Sequence, residues 1–123
     1  MARLVLWGPV VVYMGGIYYV SSLSQPPTLI GGDKPWHLLA YLALAVLVVR
    51  ALARRALARI DGGVLISAVA ITVAYGLSDE IHQRFVPGRT ADAKDLAADT
   101  GGAIVGAGAC WAAAAARKGT GNA

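Results

Sequence analysis

Apolar residues dominate long stretches of the chain, and polar residues are concentrated at the ends of those stretches. No Asp, Glu, Lys, Arg or His occurs between Arg3 and Asp33, and an apolar interval of that length can hold a membrane-spanning helix of about 20 residues. Three further segments follow the same pattern, so helices are predicted over about 4–23, 35–55, 62–83 and 91–116. The pattern predicts an all-α membrane protein, a four-transmembrane-helix bundle that forms a single domain over residues 1–123.

The composition supports a membrane protein over a soluble one. Hydrophobic residues make up 57% of the 123 positions and charged residues 15%, whereas about a quarter of the residues of a typical soluble domain are charged. A cleaved signal peptide is the competing interpretation of the first apolar stretch, but several comparable stretches follow it. The net charge of +4 does not indicate nucleic acid as a partner, because the basic residues flank apolar segments as membrane topology requires.

The basic residues are divided unequally between the two ends of the predicted helices. One side carries seven of them, with Asp61 as its single acid: Arg3, Arg50, Arg54, Arg55, Arg59, Arg117 and Lys118. The other side carries the remaining four basic residues and six acids. Because lysine and arginine accumulate in cytoplasmic loops, both termini are predicted to be cytoplasmic and the acidic side is predicted to face outward.

Polar side chains on the second predicted helix lie on one face. Asp33, His37 and Tyr41 are spaced by four residues and form a slightly drifting stripe. An imidazole within a membrane helix needs a protein partner, a polar cavity or the interface, and histidine can also transfer protons near neutral pH. Two interpretations stay open: Asp33 caps the helix while the other two bond to neighbouring helices, or the stripe has a functional role.

The third predicted helix ends in a dense polar stretch. Four of its residues share one helical face: Tyr75, Asp79, His82 and Gln83. Glu80 points about a quarter-turn away from that face. Carboxylates are unfavourable at the negative end of a helix dipole, so Asp79 and Glu80 are predicted to be compensated by a nearby base or a bound cation and to have a functional role.

The fourth predicted helix begins with three acids on one face. Asp92, Asp95 and Asp99 are spaced i, i+3, i+7. The helix dipole favours acids in a first turn, which is a sufficient explanation of Asp92. Asp99 lies deepest in the apolar part, where ionisable residues face the bundle interior and are candidates for function.

Small residues repeat every four positions farther along this helix, at Ala98, Gly102 and Gly106. Small residues in this register let two helix backbones approach closely. Packing within the bundle is the preferred interpretation, and a homo-oligomer formed through helix four is a second use of the same helix.

Two kinds of chemistry fit this collection of polar residues. In the first, carboxylates with His82 or His37 hold a divalent cation that binds a phosphate group, and Arg89 is a second phosphate contact. The predicted metal ligands are Asp79, Asp92, Asp95, Asp99 and His82. In the second, the residues form a closed network of hydrogen bonds and ion pairs that holds four short helices together. The sequence contains no HExxH, paired CxxC or Walker-type glycine motif.

Several short motifs in a fixed order resemble the VanZ-like family, small bacterial and archaeal membrane proteins named for an accessory protein of teicoplanin resistance. They are Ser21-Ser22, Asp33-Lys34 with His37 and Tyr41, Asp79-Glu80 with Gln83, the turn Phe85-Val86-Pro87-Gly88-Arg89, Asp92 with Asp95, and Gly101-Gly102. The resemblance covers about Ser21 to Gly106, and it departs from the family at Asp99, where asparagine is common. It implies a role in the cell envelope, at a bacterial or archaeal cell (inner) membrane.

The leading hypothesis is that the protein binds an anionic lipid or a lipid-linked envelope precursor at the outer leaflet, and in an enzymatic version processes it. The predicted ligand contacts are Arg89, Lys34, Tyr41, Gln83 and Asp33. The catalytic candidates are Asp79, Glu80 and His37, with Glu80 or His37 as the general acid–base of a membrane-embedded hydrolase or transferase. The alternative is a non-catalytic scaffold or partner-binding protein whose polar residues are structural.

Overall fold

The computed structural model describes residues 1–23, 34–88 and 93–121. Within these ranges the chain is entirely helical and contains no strand, and it has five helical elements: α1 (Ala2–Ser21), α2 (Lys34–Leu52), a 3-10 turn (Leu57–Arg59), α3 (Gly62–Gln83) and α4 (Ala93–Gly121). The predicted all-α class is therefore confirmed for the described part of the chain. Three of these helices are long and apolar enough to cross a membrane, over Ala2–Ser21, Pro35–Leu52 and Gly62–Gln83. α4 is not among them, and its first two turns contain the charged residues Lys94, Asp95 and Asp99.

The C-terminal ends of three helices differ from the predicted ones. α1 ends at Ser21 rather than at residue 23, because the amide of Leu23 bonds three residues back to the carbonyl of Val20 instead of four. α4 continues to Gly121 rather than to residue 116, since its second half is rich in alanine, the strongest helix former. α3 covers the predicted range and is capped by Asp61, whose Oδ1 accepts from the Val64 amide at 2.8 Å.

The largest difference is at the end of α2. The helix is predicted to reach residue 55 but ends at Leu52, because Arg54 and Arg55 both adopt the left-handed conformation, with φ of 52° and 65°. Each such residue costs roughly 1–2 kcal/mol for a side chain other than glycine. The two residues turn the chain sharply, and the 3-10 turn then leads into α3.

α2 is the central helix of the described structure. It packs most extensively against α4 and also contacts α1 and α3. Its buried side chains form much of the apolar core: Ala40, Tyr41, Leu44, Ala45, Val48 and Val49. The apolar spans of α1 and α3 are much less buried, at 17% and 28% of their residues against 44% for α2. Their outer surfaces are therefore apolar and uncovered within the chain, as a lipid-facing helix requires.

The contact between α2 and α4 depends on glycines. A Cβ atom at Gly102 would overlap the carbonyl oxygen of Leu38, and one at Gly106 would lie 2.5 Å from the carbonyl oxygen of Leu42. The role in helix packing predicted for Gly102 and Gly106 is confirmed, and their partner is α2 of the same chain. A homo-oligomer through helix four would have to use other residues of that helix.

Antiparallel neighbours bring the polar helix ends together. At one end, Leu6 of α1 lies near Arg54, which follows α2. At the other end, Ser22, which follows α1, contacts His82 near the end of α3. The start of α2, the end of α3 and the start of α4 therefore lie at one end of the structure, and the arginine-rich turn lies at the other. The fold therefore places the acids of α3 and α4 within reach of the polar side chains of α2.

Gly102→Ala is expected to destabilise the protein by about 1–3 kcal/mol, the usual effect of overpacking, because the methyl group would force α2 and α4 apart. Gly101→Ala is the matched control, since no atom lies within 4 Å of a Cβ built there. The control is expected to be neutral or stabilising because alanine favours helix over glycine by about 1 kcal/mol. Thermal unfolding of the purified variants in detergent measures the stability of both. Equal stability of Gly102→Ala and Gly101→Ala would contradict this packing.

Candidate functional site

Seven buried polar residues lie at the end of the structure where α2 and α4 begin and α3 ends. We call them the polar cluster: His37, Tyr41, Asp79, Glu80, Gln83, Asp95 and Asp99, whose exposed fractions range from 1% to 7%. Four of the seven are acids, and acidic side chains are rarely buried to this degree without partners. The partners of these acids therefore decide what the cluster can do.

His37 of α2 lies between two acids of α4. Its Nδ1 is hydrogen-bonded to Asp99 Oδ1 at 2.8 Å, and its Nε2 lies 3.7 Å from Asp95 Oδ2. Both contacts follow from the i, i+4 spacing of the two acids on α4, which places them on one face opposite the histidine. The imidazole thus bridges two carboxylates and ties α2 to α4.

Tyr41, one turn farther along α2, connects this group to α3. Its hydroxyl donates to Asp79 Oδ2 at 3.1 Å, and its ring stacks on His37 with 6.4 Å between centroids. Gly76 of α3 makes room for Asp99, because a Cβ there would lie 3.1 Å from Asp99 Oδ2. The cluster is therefore continuous across α2, α3 and α4.

Two acceptors of the cluster are buried without a partner. Within the described part of the chain, Asp79 Oδ1 and Gln83 Oε1 accept no hydrogen bond, and neither does the hydroxyl oxygen of the fully buried Thr72. These residues share the inward face of α3, at spacings of four and seven residues. A buried polar atom without a partner costs about 1–3 kcal/mol. Such atoms in a native structure need an explanation, which can be a functional one.

His82 is separate from the carboxylates. The sequence predicts it among the metal ligands, but its Nε2 lies 2.9 Å from Ser22 Oγ and its ring stacks on Tyr18 at 4.3 Å. Ser22 donates its own hydroxyl hydrogen to the Tyr18 carbonyl, so the serine oxygen is left to accept from His82. The end of α1 lies beside this face of α3, and His82 bonds to α1 for that reason.

The described residues do not form a metal site. No group of three His, Cys, Asp or Glu side chains in ranges 1–23, 34–88 and 93–121 is arranged to hold a metal ion. Of the five predicted ligands, Asp92 lies outside these ranges. Asp99 is hydrogen-bonded to His37, Asp95 lies within ion-pair distance of the same imidazole, and Asp79 accepts from Tyr41. The predicted divalent cation therefore has no support among the described residues.

Several predicted site residues cannot be placed. Asp33, Arg89 and Asp92 lie outside the described residues, as does the side chain of Lys34. The structure does bring together the other predicted contacts and catalytic candidates, namely Tyr41, Gln83, Asp79, Glu80 and His37, at the same end of the bundle.

The structure also adds residues that the sequence analysis did not single out. Thr72 and Gly76 lie on the same face of α3 as Asp79, which they precede by seven and three residues. This helical spacing could have identified them from the sequence. Tyr18 of α1 is a further addition: together with Ser22, which the sequence analysis names only in the Ser21-Ser22 motif, it contacts His82. These contacts join helices distant in sequence, so spacing alone could not pair them.

The apolar helices and the buried polar cluster define a class, the small helical membrane proteins that concentrate ionisable residues at one end of the bundle. Comparison with protein families identifies the family within this class. The model of the VanZ/LLP1 family matches residues 10–114, most of the chain, and the protein belongs to this family. The resemblance seen in the sequence motifs is thereby confirmed. Comparisons with the curated proteins and with the solved structures gave no match.

Tyr41→Phe is expected to lower the free energy of unfolding by about 1–3 kcal/mol, because the substitution leaves both oxygens of the buried Asp79 carboxylate without a described donor. Tyr19→Phe removes the same hydroxyl from a side chain that is 67% exposed and is expected to change stability little. Thermal unfolding in detergent compares them. A Tyr41→Phe protein as stable as the control would mean that this hydrogen bond does not hold α2 against α3.

Proposed function

We propose that this VanZ-like membrane protein binds the headgroup of an anionic lipid or lipid-linked envelope precursor at the polar cluster. The observation that carries the proposal is the pair of unpartnered acceptors, Asp79 Oδ1 and Gln83 Oε1, within a cluster that otherwise bonds across three helices. A bound headgroup would supply the missing hydrogen bonds.

The chemistry of these acceptors restricts the ligand. A carboxylate oxygen and an amide oxygen accept hydrogen bonds but donate none, so the group that meets them carries a hydroxyl or an ammonium. An ionised phosphate has no hydrogen to offer and would be repelled by Asp79. In this proposal the phosphate is bound by Lys34 and Arg89, and a hydroxyl or amine of the same headgroup reaches Asp79 and Gln83. The ligand class is thus a lipid phosphate that carries a polar substituent.

The membrane arrangement that goes with this function has four spans, with both termini in the cytoplasm and the polar cluster facing outward from a bacterial or archaeal cell membrane. α4 has 29 residues, about 43 Å at 1.5 Å per residue, which exceeds the roughly 30 Å of hydrocarbon. The opposite end of the bundle carries Arg54, Arg55 and Arg59, and the bias of arginine toward cytoplasmic loops supports this orientation.

An enzymatic version would place Asp79, Glu80 and His37 in catalysis on a phosphate or acyl ester of the bound lipid. Glu80 and His37 lie at the same end as the unpartnered acceptors, and either type of side chain can act as a general acid–base. Turnover of an envelope lipid by purified protein, abolished in Glu80→Gln or His37→Gln, is the result that would establish this version.

The alternative function is a scaffold whose polar cluster is structural. The contacts that favour it are those of His37, which bridges Asp95 and Asp99 and holds α2 to α4. A second copy of the chain, or another membrane protein, would then dock on the outward surface of α4, where Ile104, Val105 and Trp111 are exposed.

Native mass spectrometry of the gently solubilised protein tests headgroup binding. The wild type is expected to carry a phospholipid or polyprenyl phosphate, and Asp79→Asn is expected to lose it at least tenfold because an amide cannot replace the ionic acceptor. Asp61→Asn is the matched control, since it makes the same change at the opposite end and asparagine still caps α3.

Thermal unfolding of the same proteins separates the two functions. Lipid lost from a folded Asp79→Asn protein supports headgroup binding, whereas lipid retained in that protein and in Arg89→Ala would exclude it. The scaffold function predicts instead that Asp79→Asn and His37→Ala unfold at lower temperature while nothing specific binds to the wild type.

Cysteine labelling tests the orientation. In a Cys110→Ala background, Phe85→Cys places a thiol in the exposed turn after α3, and Ala58→Cys places one in the 3-10 turn at the other end. A membrane-impermeant thiol reagent applied to intact cells is expected to label position 85 and to spare position 58 until the cells are opened. The reverse result would put the polar cluster in the cytoplasm.

A further inference from the structure

The arginine-rich end of the bundle, away from the polar cluster, contains cavities lined by both guanidinium groups and apolar side chains. The first has a volume of about 350 Å³ and lies between the start of α1 and the turn after α2. Its basic lining consists of Arg54, Arg55 and Arg59, and its apolar lining includes Val5 and Leu6. A volume in this range is typical of a pocket for a small molecule.

A second cavity adjoins the first. It has a volume of about 270 Å³ and is lined by Arg3, Arg54, Leu6 and Trp7, among others. Arg54 and Leu6 line both cavities. The two cavities therefore share one wall, and four guanidinium groups converge on them.

The charge of these arginines is not neutralised within the described structure. The side chains of Arg3, Arg54, Arg55 and Arg59 form no ion pair and no hydrogen bond with any residue in the described ranges. Asp61 is the only acid in the connection from α2 to α3, and its Oδ1 accepts from the Val64 amide at the start of α3. The site therefore has donors and positive charge to offer to an anion.

The backbone conformation places two of these arginines at the first cavity. Arg54 and Arg55 are consecutive residues with positive φ, a conformation that side chains other than glycine rarely adopt, and both line the first cavity as a result of the turn they form. Arg50 has a different role, because its Nη1 donates to the Val5 carbonyl at 3.2 Å and ties α2 to α1. That bond holds the apolar wall next to the guanidinium groups.

Membrane topology alone accounts for basic residues at this end, since it requires only that lysine or arginine lie near the surface. It does not require three guanidinium groups on one cavity, nor an apolar wall beside them. Guanidinium binds phosphate oxygens with two parallel hydrogen bonds, which an ammonium group cannot do. Basic pockets between membrane helices are suited to anionic headgroups for the same reason.

We propose that this end of the protein contains a second binding site, specific for a phosphate-bearing anion, with Arg54, Arg55 and Arg59 as its phosphate contacts. The occupant is the headgroup of an anionic phospholipid, whose glycerol and first methylene groups would lie against Val5 and Leu6. The site is independent of the polar cluster, and at this end of the bundle it draws its lipid from the other leaflet.

The test compares binding of phosphatidylglycerol, phosphatidylcholine and inorganic phosphate to the full chain in detergent, by native mass spectrometry and thermal shift. The double variant Arg54→Lys with Arg55→Lys keeps the charge and removes the paired hydrogen bonds, and Arg59→Lys is a second variant with ordinary backbone geometry. Arg84→Lys, at the opposite end, is the matched control. The expected result is about tenfold weaker phosphatidylglycerol binding in the double variant, a measurable loss in Arg59→Lys, and no change in the control.

The outcomes separate the sources of the anion. Tight binding of phosphatidylglycerol over phosphatidylcholine, weakened in the variants, upholds a lipid site. Binding of inorganic phosphate alone, weakened in the same variants, upholds the phosphate contacts but overturns the lipid as occupant. Equal binding of phosphatidylglycerol to the wild type, to the double variant and to Arg59→Lys would overturn the site, because it would mean that charge alone attracts the lipid.

Discussion

The polar cluster depends on how closely two helix backbones approach each other. Gly102 and Gly106 have no side chain to hold α4 away from α2, so the two backbones lie in contact at these positions. His37 immediately precedes Leu38, the residue that Gly102 touches, and Asp99 lies one turn before that glycine. A 2.8 Å bond between His37 and Asp99 needs this short helix separation. Packing of small residues therefore sets the geometry of the ionisable ones.

The polar cluster has hydrogen-bond partners for its side chains on the side of α4 but lacks some of them on the side of α3. Toward α4, His37 contacts two carboxylates, and a buried acid that lost such a partner would be costly. Toward α3, Asp79 has a donor for one oxygen only, and Gln83 Oε1 has none among the described residues. A purely structural network is expected to satisfy all its members. In the proposed function, the α3 side is the binding surface and the α4 side is the framework that supports it.

The two ends of the bundle have opposite chemistry because the helices are antiparallel. The cluster end collects buried acids, whereas the other end collects the arginines of the turn after α2 and of the N-terminus. Buried acids need partners from the protein or a ligand, and they occupy helix faces that point inward. The arginines line open cavities between α1 and the turn. In the two proposals, each membrane surface would therefore interact differently with its lipids.

The sequence by itself determined the helical class, three segments apolar enough for membrane helices, and the family, because these depend on composition, periodicity and motif order along the chain. It also grouped the acids of α3 and α4 with both histidines, from their spacing on shared helix faces, whereas the structure separates His82 from the carboxylates. Only the tertiary structure decided the pairing: His37 with Asp95 and Asp99, and His82 with α1. Each contact joins side chains about 60 positions apart, and helix packing, which no local pattern encodes, brings them within bonding distance.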